Sequence, residues 1–282
     1  MDVSTLVPVG IHHPAIQQYL AVKNNTKVLP ENLVALEGSW ALTRAFRANL
    51  AMHAFFVCPE LLRNEAARQL TAQIIAAAVP SYVVSEKVMR KLVEWEGPDG
   101  LAALVALRCF GWKDIPLRQH NRLVVLDGLE LPGNIGTIIR CADGAGAEGI
   151  ILTNCKKRLA HPKLIHASMG SVFTFPIIEA ETFEVITWLK RHNFKVVTTD
   201  SSASTSYREA DYQGRIAVVM GSERHGIAQV WHEAQDVSVS IPMHGQADSL
   251  NVGNAAALVL YEVFYQHETS LIDAYKHLLQ EG

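Results

Sequence analysis

Short, nearly continuous apolar runs alternate with longer amphipathic stretches along most of this chain. In the second half, Arg122–Leu126, Gly149–Leu152, Lys195–Thr199, Ile216–Met220 and Val237–Ile241 are brief and mostly rich in Val or Ile. Such runs predict strands covered on both faces, as in a parallel sheet. Between them Ile135–Ala145, Thr182–His192 and Ile227–Ala234 have helical character, and Ala255–Tyr265 is long enough for a closing helix. The pattern predicts an open, doubly wound α/β domain, a class that binds ligands beyond the carboxyl ends of its strands.

The first half is more mixed. Leu33–Gly38 reads as a strand ending at a glycine, with Ser39 capping a helix that reaches Asn49. His53–Cys58 reads as a strand, Glu60–Ala78 as a helix, and Ser81–Ser85 as a strand before a helix that turns Val88 and Leu92 inward. Leu101–Leu107 closes the section as a buried strand. This alternation predicts a small α/β layer sandwich over residues 1–108. Residues 109–121 carry Gly, Pro and charge and predict a linker, leaving 122–282 as the second domain.

Composition narrows the class. A chain of 282 residues can bury two cores, and 49% hydrophobic with 19% charged residues is a globular balance. No apolar run is long enough to cross a bilayer, and the opening MDVSTLVPVGIHHP lacks a basic segment followed by an apolar one. A cytoplasmic protein without membrane partners is expected. Four scattered cysteines suit reduced thiols better than a disulfide frame or a zinc site. His161 and His166 stand five apart, off the helical ligand spacing, and His12-His13 lies near the terminus, so no metal is expected. A net charge of −3 leaves any nucleic-acid partner to local patches. Two exist: Arg44 with Arg47, and Lys156, Lys157 and Arg158 with Lys163 nearby. The same residues read equally as solvated surface charge. Gly144 to Gly149 resembles a dinucleotide fingerprint in reverse context, after a helix and before a strand, so it reads as a helix stop.

Three segments at predicted strand ends carry the chemistry. In Leu126 to Arg140 a Pro132-Gly133 turn places Asn134 at a helix N-cap, with Arg140 nearly two turns on. In Val218 to Gly226 a buried strand runs into Gly221-Ser222-Glu223, where glycine lets backbone approach a ligand. In Ile241 to Val252, Pro242 ends a strand, and Ser249 and Asn251 flank Leu250 beside apolar Ile241 and Met243. Taken singly, these are also a capped helix, a plain loop and a polar helix-capping loop.

Jointly, PGNIGTIIR, GSE with a following GI, and IPM leading to SLNV and AAALVLYE resemble the three motifs of the SpoU/TrmH family of the SPOUT superfamily over about residues 122–266. The resemblance implies methylation of a ribose 2′-hydroxyl in RNA from S-adenosyl-L-methionine, a deep trefoil knot and a homodimer. It assigns Asn134, Arg140, Glu223, Ser249 and Asn251 to the catalytic set. Cofactor contacts fall to Thr199, Gly221, Ile241, Met243 and Leu250. EGSWALTRAF and GPDGLAALV resemble the ribosomal-protein-like substrate-binding domain of many members, which favours rRNA over tRNA, with Arg44, Arg47, Lys156, Lys157 and Arg158 as RNA contacts. Two positions depart from the family pattern: Leu131 stands where an Asp often precedes the proline, and Arg224 where a Gly often follows the glutamate.

The resemblance points to Arg140 as the residue that activates the hydroxyl. A charged guanidinium has no acceptor, so the proton acceptor stays open. Methylation of an RNA base by the same fold, or an inactive RNA-binding or ribosome-assembly factor, are the alternatives. The joint presence of all five catalytic-set residues argues against the inactive one.

Overall fold

The computed structural model describes residues 3–24, 32–94, 99–155 and 159–280. The chain forms two compact units, one of Met1–Arg108 with Leu159–Pro162, the other of Cys109–Arg158 with Lys163–Gly282.

The first unit runs β1 (Val7–Pro8), α1 (Pro14–Lys23), β2 (Leu33–Glu37), α2 (Gly38–Arg47), β3 (Ala51–Val57), α3 (Glu65–Ala76), β4 (Ser81–Val83), α4 (Glu86–Leu92) and β5 (Leu101–Ala106). Its sheet has the order β1-β4-β3-β5-β2. Strand β5 pairs antiparallel with β2 and β3, while β4 pairs parallel with β1 and β3. Ile16 and Tyr19 of α1 and Met89 and Leu92 of α4 close a core over Phe56 and Leu104.

Two details differ from the sequence expectation. Ser39 is not the cap of α2 but lies inside it, and its N–H donates to Asp99 Oδ2 at 2.6 Å. A remote carboxylate thus serves the helix N-terminus, where negative charge is favoured. Helix α3 starts at Glu65 rather than Glu60, because Pro59–Leu61 makes a 3₁₀ turn and Asn64 Oδ1 accepts from Ala67 N at 2.6 Å. Arg44 and Arg47 are exposed on α2, with the Arg44 guanidinium 4.9 Å from the Trp40 ring centroid.

The second unit continues with β6 (Asn121–Asp127), α5 (Pro132–Gly144), β7 (Gly149–Thr153), α6 (Pro162–Ala167), β8 (Ile177–Glu179), α7 (Thr182–Arg191), β9 (Phe194–Thr199), β10 (Thr205–Ser206), β11 (Arg215–Gly221), α8 (Gln229–Ala234), β12 (Val237–Ser240) and α9 (Val252–Gln280). Helix α6 straddles the unit boundary at Pro162. Its seven strands are parallel in the order β10-β12-β9-β11-β6-β7-β8. Alternate residues serve opposite faces, as the pleat requires. Leu123, Val125, Ala217 and Val219 pack with Val185 and Leu189 of α7 and Trp231 of α8. Helices α5 and α9 pack on each other, and α9 also meets β6 and β11. Both faces are covered, which explains the unbroken apolar runs.

The chain progresses outward from β6 through β7 to β8, then crosses to β9, and β11 fills the place between β9 and β6. The order therefore reverses at the β6/β11 pair, where Asp127 lies opposite Gly221 at the carboxyl ends. That reversal is the position at which such sheets open a ligand crevice. Among the described residues no helix is long and apolar enough to cross a membrane.

Candidate active site

Pro132, not Asn134, opens α5: Leu131 is the N-cap, and proline fits the first helical position because it lacks an N–H that would otherwise go unpaired. Asn134 therefore sits within the first turn, and its side chain reaches across the fold. Its Nδ2 donates to Glu223 Oε1 at 3.0 Å, and its Oδ1 accepts from Asn251 Nδ2 at 3.3 Å. The same Asn251 Nδ2 donates to Glu223 Oε1 at 2.8 Å, and the Val252 N–H donates to that oxygen at 3.4 Å. Asn251 Oδ1 in turn accepts from Gly253 N at 2.9 Å. One carboxylate oxygen thus ties the loop after β11 to the starts of α5 and α9. Hydrogen bonds to an ionised acceptor are the stronger kind.

Beside this junction lies a cavity of about 380 Å³ at the carboxyl ends of β9, β11 and β12. Its walls include Thr199, Gly221, Ile241, Met243 and Leu250, all five expected cofactor contacts, together with Glu223 and Ser249. Apolar Ile241, Met243 and Leu250 line one side of it beside Asp248 and Ser249, a mix of apolar wall and few polar groups that suits a planar heterocycle. Asp200, Glu223 and Asp248 supply carboxylates. Hydrogen bonds from Ser202 N and Ser202 Oγ hold the Asp200 carboxyl below its ordinary range. Three carboxylates suit a ligand bearing a sulfonium and an ammonium.

Gly221 has a reason other than ligand approach. A Cβ there would overlap the backbone of Gly226 and Ile227, because residues 222–226 fold back on the strand end. Ser222 and Gly226 exchange both backbone hydrogen bonds, at 3.0 and 2.9 Å, and Gly226 takes a φ of +64°, a region glycine enters freely.

Arg140 is not brought to this junction within the chain. It is exposed on α5 and does not line this cavity. Lys156, Lys157 and Arg158 lie outside the described residues. Among the described residues no group of three or more His, Cys, Asp or Glu could hold a metal ion.

Sequence reasoning passed over Asp127. This carboxylate is 3% exposed at the end of β6. Its Oδ1 accepts from Thr153 Oγ1 at 2.8 Å and Asn154 Nδ2 at 2.7 Å, and its Oδ2 accepts from Ala228 N at 2.7 Å. Asp127 so joins the ends of β6 and β7 to the loop that carries Glu223. The visible signal was an acid closing an otherwise buried apolar strand, a placement that demands partners. Asp127 also borders a second cavity of about 440 Å³, which shares Ser222, His225, Gly226 and Ile227 with the first.

Comparison with known proteins agrees with this arrangement. Residues 121–261 match the model of the SpoU rRNA Methylase family. A 23S rRNA (uridine(2479)-2′-O)-methyltransferase of Streptomyces viridochromogenes is 33% identical over 61% of this chain and 62% of its own length, less than two thirds of that relative. A protein of Staphylococcus aureus strain COL, assigned to the TrmH family of tRNA/rRNA methyltransferases, is 30% identical over 72% of this chain and 86% of its own. Among solved structures, an RNA 2′-O ribose methyltransferase superposes with a TM-score of 0.75 at 33% identity, covering 93% of this chain and 99% of the other. An AdoMet-bound rRNA methyltransferase from Sinorhizobium meliloti gives 0.77 at 28%, covering 90% and 95%. The family match spans the parallel sheet and all three segments that meet at Glu223, and the chain belongs to the SpoU rRNA methylase family.

Proposed function

We propose that this protein transfers a methyl group from S-adenosyl-L-methionine to a ribose 2′-hydroxyl of RNA, with rRNA as the preferred substrate. The observation that carries the reading is the cavity at the sheet's carboxyl edge, bordered by Glu223, which Asn134 and Asn251 hold in place. S-adenosyl-L-methionine bound there supplies the electrophilic methyl. Ile241, Met243 and Leu250 would cover its adenine, and the backbone at Gly221, Ile241 and Leu250 with the Thr199 loop would hold its polar edges. Ser249 stands exposed at the rim, positioned to meet the incoming ribose.

Glu223, Asn134 and Asn251 form a pre-ordered frame, which favours transfer because reactants need near in-line placement. Arg140 provides positive charge for a phosphate or a developing alkoxide. Its exposed position makes it a residue that engages RNA or a partner subunit, not one confined to its own cavity.

A homodimer goes with this reading. Leu258, Tyr261 and Tyr265 form an exposed apolar stripe on α9. Tyr261 reaches Gly144, one turn beyond Arg140 on α5. We also infer the family's trefoil knot, supported by β11 lying between β6 and β9 and by α9 returning onto α5, β6 and β11. Residues 1–108 serve as the RNA-binding domain through exposed Arg44 and Arg47, with Lys156, Lys157 and Arg158 adding phosphate contacts. An rRNA substrate puts the work in the cytoplasm.

The test is transfer of labelled methyl from S-adenosyl-L-methionine to purified rRNA and tRNA from cells lacking this protein. Label entering rRNA, and lost in Glu223→Ala, is expected. Equal label with Glu223→Ala, or none with wild type, contradicts the assignment.

A further inference from the structure

Helix α2 of the first unit has two faces of opposite character. Ala41, Leu42 and Ala45 are buried, while Trp40, Arg44 and Arg47 follow one another at i, i+4 and i+7. At about 100° per residue these three fall within about 60° of one another, on the side turned away from the core. Arg44 and Arg47 are exposed. Lys23, Arg68, Arg90 and Lys195 each meet a carboxylate, but among the described residues neither guanidinium of α2 does. A chain of net charge −3 thus keeps two unneutralised cations side by side on one helix face, and such a patch attracts a polyanion.

These side chains stand on a fixed helix end. Asn49 takes a φ of +52°, its N–H donates to Phe46 O at 3.0 Å, and the Leu50 N–H donates to Ala45 O at 3.1 Å. This left-handed closure pins the last turn. There the Arg44 guanidinium carbon lies over the Trp40 ring, 4.9 Å from its centroid. Attraction between the cation and the ring face holds an otherwise flexible side chain in place. Because Trp40 covers one side of an exposed residue, the other side of the Arg44 guanidinium faces solvent. A guanidinium held in this way is a flat cationic surface on which a nucleobase stacks. Bases inside a duplex already have both faces covered by neighbours, so only an unpaired base presents one. An acidic protein would meet the two charges but make no use of the plane.

We propose that α2 is a docking face for single-stranded RNA. An unpaired nucleobase stacks on Arg44, Arg47 binds a backbone phosphate, and Trp40 is the positioning residue that holds Arg44 for the base. The proposal rests on the RNA-substrate reading above and goes beyond charge: the first unit takes a loop or bulge and not a continuous helix, and lysine cannot replace arginine at position 44.

The experiment is binding of fluorescently labelled oligouridylate to the full-length protein without S-adenosyl-L-methionine, at about 12 nucleotides, within the range of single-strand site sizes. The same strand paired with oligoadenylate is the duplex probe. Arg44→Lys keeps the charge but loses the planar fork, and Arg44 is exposed, so the core is untouched. It is expected to weaken single-strand binding about tenfold, the scale of one lost base stack, and duplex binding less than about twofold. Its salt dependence should match wild type, whereas Arg47→Ala should lower the slope of log K against log salt by about 0.7. Trp40→Leu should cost about as much as Arg44→Lys, Trp40→Phe less than about threefold, and the Trp40→Leu, Arg44→Lys double variant no more than either alone. Equal single-strand affinity in wild type and Arg44→Lys overturns the proposal, and so do equal losses on the two probes or full additivity of the two substitutions. A wild type that binds neither probe also overturns it and leaves the face to an acidic protein. Methylation of rRNA measured alongside separates the two readings. Ribose methylation with unaffected binding by Arg44→Lys removes the α2 face alone, whereas no methyl in RNA beside the expected binding losses removes the methylation reading alone.

Discussion

Asn134 and Glu223 stand 89 residues apart in sequence and meet through a 3.0 Å hydrogen bond, Nδ2 to Oε1. Asn251 closes the same junction from a third segment at 2.8 Å. Glu223→Gln keeps an acceptor but loses the charge, and a side-chain amide can swing its NH₂ toward the two Asn donors. Loss of transition-state placement by about 2–3 kcal/mol, or roughly a hundredfold in kcat/KM, is expected. Steady-state kinetics check this against a thermal melt, which should move little because the site is exposed.

Asp127→Ala acts on stability instead. It strands Thr153 Oγ1, Asn154 Nδ2 and Ala228 N at a position 3% exposed. Unpaired buried donors cost about 1–3 kcal/mol each, offset where water enters, so a loss of about 2–4 kcal/mol is expected. The shift of the urea midpoint measures it. Asp127→Asn should recover only part, because one acceptor oxygen replaces two.

How much of this was legible differs by element. The runs Leu123–Leu126 and Ile150–Leu152 announced strands because both sheet faces are covered, which removes the need for polar alternation. β8 and β10 are too short to carry a period, at three and two residues. α9 extends to Gln280, far beyond the apolar stretch that marks its start, because its later turns are more polar. Of the five expected cofactor contacts, Gly221, Ile241, Met243 and Leu250 lie within the motifs, Thr199 in the loop after β9, and all five line the first cavity. The Asn134–Glu223–Asn251 junction was not legible, since hydrogen bonds across 89 and 28 residues leave no local pattern. Asn134 also imitated an N-cap, and only the helical start at Pro132 shows that its side chain is directed elsewhere.

Gly221→Ala should uncouple the loop from the strand. The new methyl group would overlap the Gly226 and Ile227 backbone, forcing residues 222–226 away from the cavity they border. Overpacking of this sort costs about 1–3 kcal/mol. Calorimetry should show S-adenosyl-L-methionine affinity lower by about tenfold or more, since that cost falls on the binding-competent loop. An unchanged affinity would mean the loop does not shape the site.

His267 makes stability depend on pH. It is 2% exposed, and its Nε2 lies 2.6 Å from Tyr212 O. Burial, foremost, lowers its pKa from the ordinary 6.5. The unfolded chain therefore binds this proton more readily, and the residue's contribution is present above pH 6.5 and lost as pH falls below it. His267→Gln should flatten the decline in unfolding free energy between about pH 7.5 and about pH 5.5 relative to wild type. Denaturant titrations at the two pH values check the difference.

The most direct measurement is mass spectrometry of nucleosides from rRNA methylated with deuteromethyl-labelled S-adenosyl-L-methionine. Fragmentation at the glycosidic bond separates base from sugar. The expected result is label wholly on the ribose fragment, present with wild type and absent with Glu223→Ala. Label on the base fragment, or none in RNA despite bound cofactor, would contradict ribose 2′-O-methylation.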